Sequence, residues 1–124
     1  MSVPKIFESE YRFCLILWEN EPVNSTRLVE LCKNQLGWSK ATTYTVIRRL
    51  SERGVLKNEN AMVTALISKE EAQKSRLEEM VEETFEGSLP AFVAAFTKHG
   101  KISDREIDAV QAMIDRYRKG ESVD

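Results

Sequence analysis

Trp38-Ser39-Lys40-Ala41-Thr42-Thr43-Tyr44-Thr45-Val46-Ile47-Arg48-Arg49-Leu50, closed by Glu52-Arg53-Gly54, reads as one helix with two unlike faces. Ser39 suits its start, because a serine hydroxyl accepts from a backbone N–H in the first turn. Gly54 suits its end, where a left-handed residue closes many helices. Thr43, Val46, Ile47 and Leu50 recur at three- and four-residue spacing and predict a buried stripe. The opposite face carries Lys40, Ala41, Tyr44, Thr45 and Arg48, flanked by Thr42 and Arg49, and meets no acid until Glu52. Such a face suits a phosphate-lined groove, since hydroxyls and cations donate to phosphates and arginine forks onto a guanine edge. A plain helix with a polar outside is the competing reading, and the neighbouring segments weigh between the two.

Upstream, a first helix is expected from Ser9, or two or three residues before it, to about Trp18. Tyr11, Cys14, Leu15 and Trp18 form its inward stripe, widened by Phe13 and Leu17. Asn20-Glu21-Pro22 breaks it, because the residue before a proline is pushed out of helical geometry. Asn24 then caps a second helix with Leu28, Leu31 and Cys32 inward, and Gln35-Leu36-Gly37 ends it, with Trp38 packed in the turn. Helix, break, helix, break, polar-faced helix is the order of a helix-turn-helix unit. Downstream, Val55-Leu56-Lys57 and Ala61-Met62-Val63-Thr64-Ala65-Leu66 predict two strands around a turn at Asn58-Glu59-Asn60. A hairpin placed there makes the unit a winged helix-turn-helix. The tip offers acid and amides where a DNA-touching wing carries Arg or Lys, so removing Asn58 to Asn60 is expected to change DNA affinity little.

From Ser68 the pattern is helical again. Ser68-Lys69-Glu70-Glu71 is a capping box ahead of an apolar face of Leu77, Met80, Val81, Thr84 and Phe85, ended by Gly87. Ser88 caps a helix with Leu89, Phe92, Val93 and Phe96 on one side, closed by Gly100. Ser103-Asp104-Arg105-Glu106 is a second capping box, with Ile102 and Ile107 at staple spacing. Ile107, Val110, Met113, Ile114 and Tyr117 follow as its stripe, and Arg116, Arg118 and Lys119 suit a helix C-terminus. Helices of about ten to fifteen residues are marginal alone, so these stripes call for a partner surface. A symmetric homodimer through Leu77, Val81, Phe85, Leu89, Phe92, Val93, Phe96, Ile107, Val110 and Ile114 is expected. Folding back on the winged-helix core is the alternative. The tail from Gly120 to Asp124 should be loose. The fold class is thus mainly α with a small β-hairpin: an N-terminal winged helix-turn-helix DNA-binding domain over residues 1–67 and a C-terminal helical dimerisation region over 68–124.

The 124 residues are 42% hydrophobic and 31% charged, the balance of a folded, soluble chain. No apolar run is long enough to span a bilayer, and the N-terminus lacks a signal-peptide core, so a cytoplasmic location is expected without membrane insertion. Net charge is −2, but residues 1–66 carry +2 and residues 67–124 carry −4. An acidic association segment beside a mildly basic one fits a DNA reader. Cys14 and Cys32 lie on apolar faces and read as buried, reduced thiols, and His99 reads as a surface histidine without metal-ligand partners. Glu70-Glu71, Glu78-Glu79 and Glu82-Glu83 read as solvated helix faces. With no nucleophile triad, glycine-rich phosphate loop or metal-ligand spacing, neither an enzyme nor a cofactor is expected.

Leu17-Trp18 with Glu21-Pro22-Val23, then Trp38 and Thr42-Thr43-Tyr44-Thr45-Val46-Ile47-Arg48-Arg49-Leu50 with Arg53-Gly54, resemble the penicillinase and methicillin-resistance repressors (BlaI/MecI type). Ile67-Ser68-Lys69-Glu70-Glu71, Phe85-Glu86-Gly87-Ser88 and Phe92-Val93-Ala94-Ala95-Phe96 extend the resemblance over roughly residues 6 to 118. It implies a homodimeric repressor on a palindromic double-stranded DNA operator, with a winged helix ahead of intertwined helices. It also implies release by proteolysis triggered through a membrane receptor for β-lactams. The family's scissile Asn–Phe bond aligns with Ala95-Phe96, where alanine stands for the asparagine. A copper-responsive branch carries C-terminal Cys-x-Cys pairs, which this chain lacks.

Within that reading Tyr44, Thr45 and Arg48 are the candidates for base-edge or groove contacts. Ser39, Lys40, Thr42 and Arg49 are the candidates for phosphates. A winged-helix adaptor that binds protein is the rival, favoured by the acidic balance and neutral wing and opposed by the acid-free face from Ser39 to Arg49. A repressor released by a small molecule is another, with Phe85, Phe92 and Phe96 as pocket walls.

Overall fold

The computed structural model describes residues 3–121, so the tail expectation for Ser122 to Asp124 lies outside the described residues. Six helices and three short strands follow in the order α1 (Glu8–Asn20), β1 (Val23–Asn24), α2 (Ser25–Leu36), α3 (Lys40–Glu52), β2 (Leu56–Glu59), β3 (Met62–Ala65), α4 (Lys69–Phe85), α5 (Leu89–His99) and α6 (Asp104–Arg118). Two compact units, Met1–Glu79 and Met80–Asp124, divide within α4.

The first unit is a winged helix. Its core gathers Phe13, Cys14, Ile16 and Leu17 from α1, Leu28 and Cys32 from α2, and Val46, Ile47 and Leu50 from α3. Val55, Leu56, Val63 and Ala72 close it from the hairpin and the start of α4. The inward face of α1 is rotated from the expected one: Ile16 is buried, whereas Tyr11, Leu15 and Trp18 are only half-buried. For Tyr11 and Trp18 the amphipathic ring accounts for the shift, because each keeps a polar partner at the core's edge. The Trp18 indole N–H donates to the Ile67 carbonyl at 2.9 Å, and the Arg76 guanidinium lies 4.0 Å from the Tyr11 ring centre. Asn20 extends the helix by donating to the Ile16 carbonyl at 2.7 Å.

Glu21 is extended (φ −68°, ψ 147°) ahead of a cis Pro22, and its carboxylate accepts from the Ala65 N–H at 2.9 Å. Asn24 caps α2 by accepting from the Thr26 N–H at 2.8 Å. Gly37 ends α2 in the left-handed region (φ 71°), where a side chain would be strained. Trp38 then stacks on Phe13 with ring centres 6.1 Å apart.

The wing differs from expectation in two ways. Its turn is Asn60-Ala61 (φ 52° and 66°), not Asn58-Glu59-Asn60, because Asn58 and Glu59 are paired in β2 with Val63 and Met62. Positive φ at both central residues is what a two-residue hairpin requires to match strand twist. Removing Asn58 to Asn60 would therefore destroy the hairpin register and not merely trim a tip. A third strand also joins the sheet in the order β1-β3-β2, through Val23↔Val63 and Asn24↔Met62. Two residues carry no alternating pattern, so β1 leaves no mark in the sequence.

Cys14 and Cys32 are free and buried, and burial pushes their thiols up to about 12 and about 11 respectively. An ion pair anchors the end of α3: Arg53 forks onto Glu10, donating through Nη1 at 2.8 Å, and also donates to the Lys5 carbonyl at 2.8 Å. Glu10 accepts from the Phe7 N–H at 2.9 Å as well. This bond supplies the N-terminal contact of α1 that Phe7, with no side-chain acceptor, cannot. Burial alone would raise the Glu10 pKa. The Arg53 and Phe7 hydrogen bonds, with the charges of Arg53 and Arg49, outweigh it and hold the carboxyl below its ordinary value.

Further along, Ser68 and Glu71 form the expected capping box, as do Ser103 and Glu106, and Ser88 accepts from the Ala91 N–H. No residue described in α5 or α6 is buried in the single chain. Leu89, Phe96 and Val110 are more than half exposed. Phe85 and Phe92 pack edge to face with ring centres 5.7 Å apart, and Phe92 and Phe96 lie tilted at 6.3 Å.

Two outcomes follow from the winged unit. Glu10→Gln should lower unfolding stability by about 2 kcal/mol near neutral pH, less than for a fully buried pair because the Arg53 side chain stays 28% exposed. A depressed carboxyl pKa stabilises above the unfolded value of about 4.3 and loses its contribution as pH falls through the lower folded value. The difference between the two proteins in urea titrations should thus be flat above about pH 5 and shrink in acid; a pH-independent difference would contradict the assignment. Ala61→Gly should raise stability by about 1 kcal/mol, since alanine at positive φ carries left-handed strain, and no gain in the unfolding midpoint would contradict it.

Candidate nucleic-acid interface

The orientation of α3 is set from inside. Thr43, Val46, Ile47 and Leu50 are buried as a stripe, which leaves Ala41, Thr45, Arg48 and Glu52 along the outward line at four- and three-residue steps. Lys40 and Tyr44 lie on one edge of that line and Thr42 and Arg49 on the other.

The two edges have different neighbours. Tyr44 is half-buried against the core, and its hydroxyl sits 3.3 Å from Ser25 Oγ in the first turn of α2. Arg49 is exposed, on the side where its charge reaches Glu10. Ser39 is occupied as the cap: its Oγ accepts from the Thr42 N–H at 3.1 Å and lies 3.0 Å from Thr42 Oγ1. The Thr43 hydroxyl turns inward and donates to the Ser39 carbonyl at 3.1 Å. Thr45 is half-buried, and Lys40, Ala41 and Thr42 are exposed.

Charge on this surface is modest and unevenly committed. Arg48 lies 4.0 Å from Glu52 one turn on, with both side chains about two-thirds exposed. An exposed pair of this kind is worth roughly 0–1 kcal/mol, so Arg48 is free to leave it. Lys40 has no ion-pair partner among the described residues. Elsewhere on the winged unit, Arg27 pairs with Glu30 at 2.9 Å and Lys57 with Glu59 at 3.8 Å. The charges of Lys57 and Glu59 cancel, so the wing strands carry no net charge.

Sequence reasoning grouped Ser39, Lys40, Thr42, Tyr44, Thr45, Arg48 and Arg49, and all seven lie on α3 or its cap. It overlooked Ser25, which is buried at 4% exposure beside Tyr44. Nothing in Asn24-Ser25-Thr26 separates that serine from an ordinary first-turn residue. It also treated Glu52 only as the end of an acid-free run, although the carboxylate lies on the same line as Arg48.

On the second unit Val81, Phe85 and Phe92 are half-buried, whereas Leu89, Val93, Phe96, Ile107, Val110 and Ile114 are exposed. Leu77, on the α4 portion of the first unit, is also exposed. Ala95 and Phe96 lie within α5, Ala95 half-buried and Phe96 exposed. A peptide bond inside a hydrogen-bonded helix reaches a protease only after local unfolding. No helix among the described residues is long and apolar enough to cross a membrane.

Comparison with known proteins agrees with this architecture. The penicillinase repressor from Bacillus licheniformis is 18% identical over 120 residues, covering 94% of this chain and 94% of that protein. The methicillin resistance regulatory protein MecI from Staphylococcus aureus (strain Mu50 / ATCC 700699) is 21% identical over 116 residues, covering 90% and 94%. The family model described as "Penicillinase repressor" matches residues 6–116, from the segment before α1 into the last turn of α6. The chain is a member of the penicillinase repressor family, with a winged helix-turn-helix followed by a helical C-terminal region.

Proposed function

We propose that this chain represses transcription as a cytoplasmic homodimer that reads a two-fold-symmetric DNA operator, with one α3 in the major groove of each half-site. The observation that carries the reading is the outward face of α3, acid-free from Lys40 to Arg49 and turned to solvent by the buried stripe behind it. A recognition helix presents its N-terminal residues to base edges, which favours Ala41, Tyr44, Thr45 and Arg48 as the readers. Lys40, Thr42 and Arg49 flank them and serve the phosphates. Ser39 contributes as the cap that orders the first turn. The wing, without net charge, leaves the specificity to α3.

Dimerisation over residues 68–124 follows from the apolar side chains that α4, α5 and α6 leave open. Leu77, Leu89, Phe96, Ile107, Val110 and Ile114 are each about half exposed or more, which is costly for a chain that remains single. A two-fold interface buries one set of stripes against its copy, and the two reading helices then fall one helical turn of DNA apart. Penicillinase repressor and MecI are the names of relatives, and the signal that releases this chain is a separate matter from its fold. Ala95 in place of asparagine, inside an intact helix, favours a release that differs from a cut at that bond.

Fluorescence anisotropy with a duplex enriched from a randomised pool by the wild-type protein tests the assignment. Arg48→Ala should cost about 1–3 kcal/mol per half-site and relax base preference. Lys40→Ala should weaken all sequences alike and flatten the salt dependence by about two units of slope, one phosphate per protomer. Wild-type affinity and selectivity in Arg48→Ala would contradict the role of α3. Val110→Asp should shift sedimentation toward the monomer and weaken operator binding together; an unchanged dimer would contradict the interface.

A further inference from the structure

Ser25 is a buried polar residue that the DNA-reading surface does not include, and it touches that surface from behind. A buried hydroxyl seeks a hydrogen-bond partner. The Tyr44 hydroxyl lies within reach of it at 3.3 Å. On its other side the Ser25 N–H donates to the carbonyl of Ala61 at 2.8 Å. Ala61 holds that carbonyl from the wing turn at φ 66°, and the adjacent Asn24↔Met62 pairing fixes the register. The wing tip, the first turn of α2 and the α3 tyrosine are thus joined through one serine.

We propose that Ser25 is a positioning residue for Tyr44, and that the wing turn, which holds the Ser25 backbone through the Ala61 carbonyl, supports that position from behind and does not itself contact DNA. The inference rests on the DNA-reading role given to α3 above. Tyr44 lies on the edge of the outward line of α3, its ring packed on the core and its hydroxyl at the boundary with α2. Rotation of that ring would move the hydroxyl across the groove-facing edge, and Ser25 holds it in one place. The wing's composition fits the division of labour. Glu59 and its partner Lys57 cancel, and Asn60 and Ala61 adopt the strained turn that presents the Ala61 carbonyl to α2.

The experiment uses the full chain and the duplex enriched from a randomised pool by wild-type protein, with single-base variants of that duplex. The readout is selectivity, the ratio of affinities for the enriched and altered sites, beside the thermal unfolding midpoint. Ser25→Ala and Tyr44→Phe should each lower selectivity about three- to tenfold, the size of one lost hydrogen bond; the same loss should lower the midpoint by a few degrees, which cancels in a ratio of affinities. In the Tyr44→Phe background Ser25→Ala should add nothing. Glu59→Ala and Asn60→Gly should leave affinity within about twofold, because neither side chain touches DNA. Full additivity of the two losses, or wild-type selectivity in Ser25→Ala, would overturn the positioning role. A marked affinity change in the wing variants would overturn the indirect role of the wing. Failure of the wild-type protein to enrich any sequence would instead overturn the DNA-reading function itself.

Discussion

Burial of Thr43, Val46, Ile47 and Leu50 fixes how α3 is rotated about its own axis, and the remaining features of the surface depend on that rotation. A helix has little preference for one face over another until an apolar stripe is taken from water. Once these four are inside, Arg48 has no orientation left but outward. The buried Thr43 hydroxyl keeps the stripe compatible with the cap, since it donates to the carbonyl of Ser39. Phe13, stacked on Trp38 just before the cap, holds the start of α3 against α1.

Charge is then divided between holding the fold and facing the solvent. Arg53 follows α3 directly, yet it is spent on Glu10 and the Lys5 carbonyl. Arg76 on α4 bonds Glu8 at 2.7 Å and covers Tyr11, so it too is structural. What remains on α3 is Lys40, Arg48 and Arg49, opposed by Glu52. So few cations give a shallow electrostatic attraction for any phosphate backbone, and in the DNA-reading role proposed for α3 the weight of recognition would fall on geometry and base contacts.

Much of this was legible from residue order. The α3 stripe, the Asn24, Ser39, Ser88 and Ser103 caps and the two capping boxes are local signals, and each appears where its residues stand. The resemblance over residues 6 to 118 coincides with the family match over 6–116. The missed features are those made by distant segments. Strand β1 exists because β3 pairs with it, and Ser25 matters because Tyr44 and Ala61 converge on it from two other elements. The face of α1 was misjudged because spacing alone cannot tell a buried Ile16 from a Trp18 held at the rim by a carbonyl. The turn was misplaced because Asn60-Ala61 lacks the glycine that usually marks positive φ.

The central claim is that α3, and not the wing, lies in the groove. Site-directed photocrosslinking compares them in one experiment, with a cysteine-linked azide placed by Ala41→Cys on α3 or by Asn60→Cys on the wing. Crosslinks from Ala41→Cys to bases in two positions about one helical turn apart, with none from Asn60→Cys, are the predicted result. Base crosslinks from the wing position and none from the helix would contradict the account.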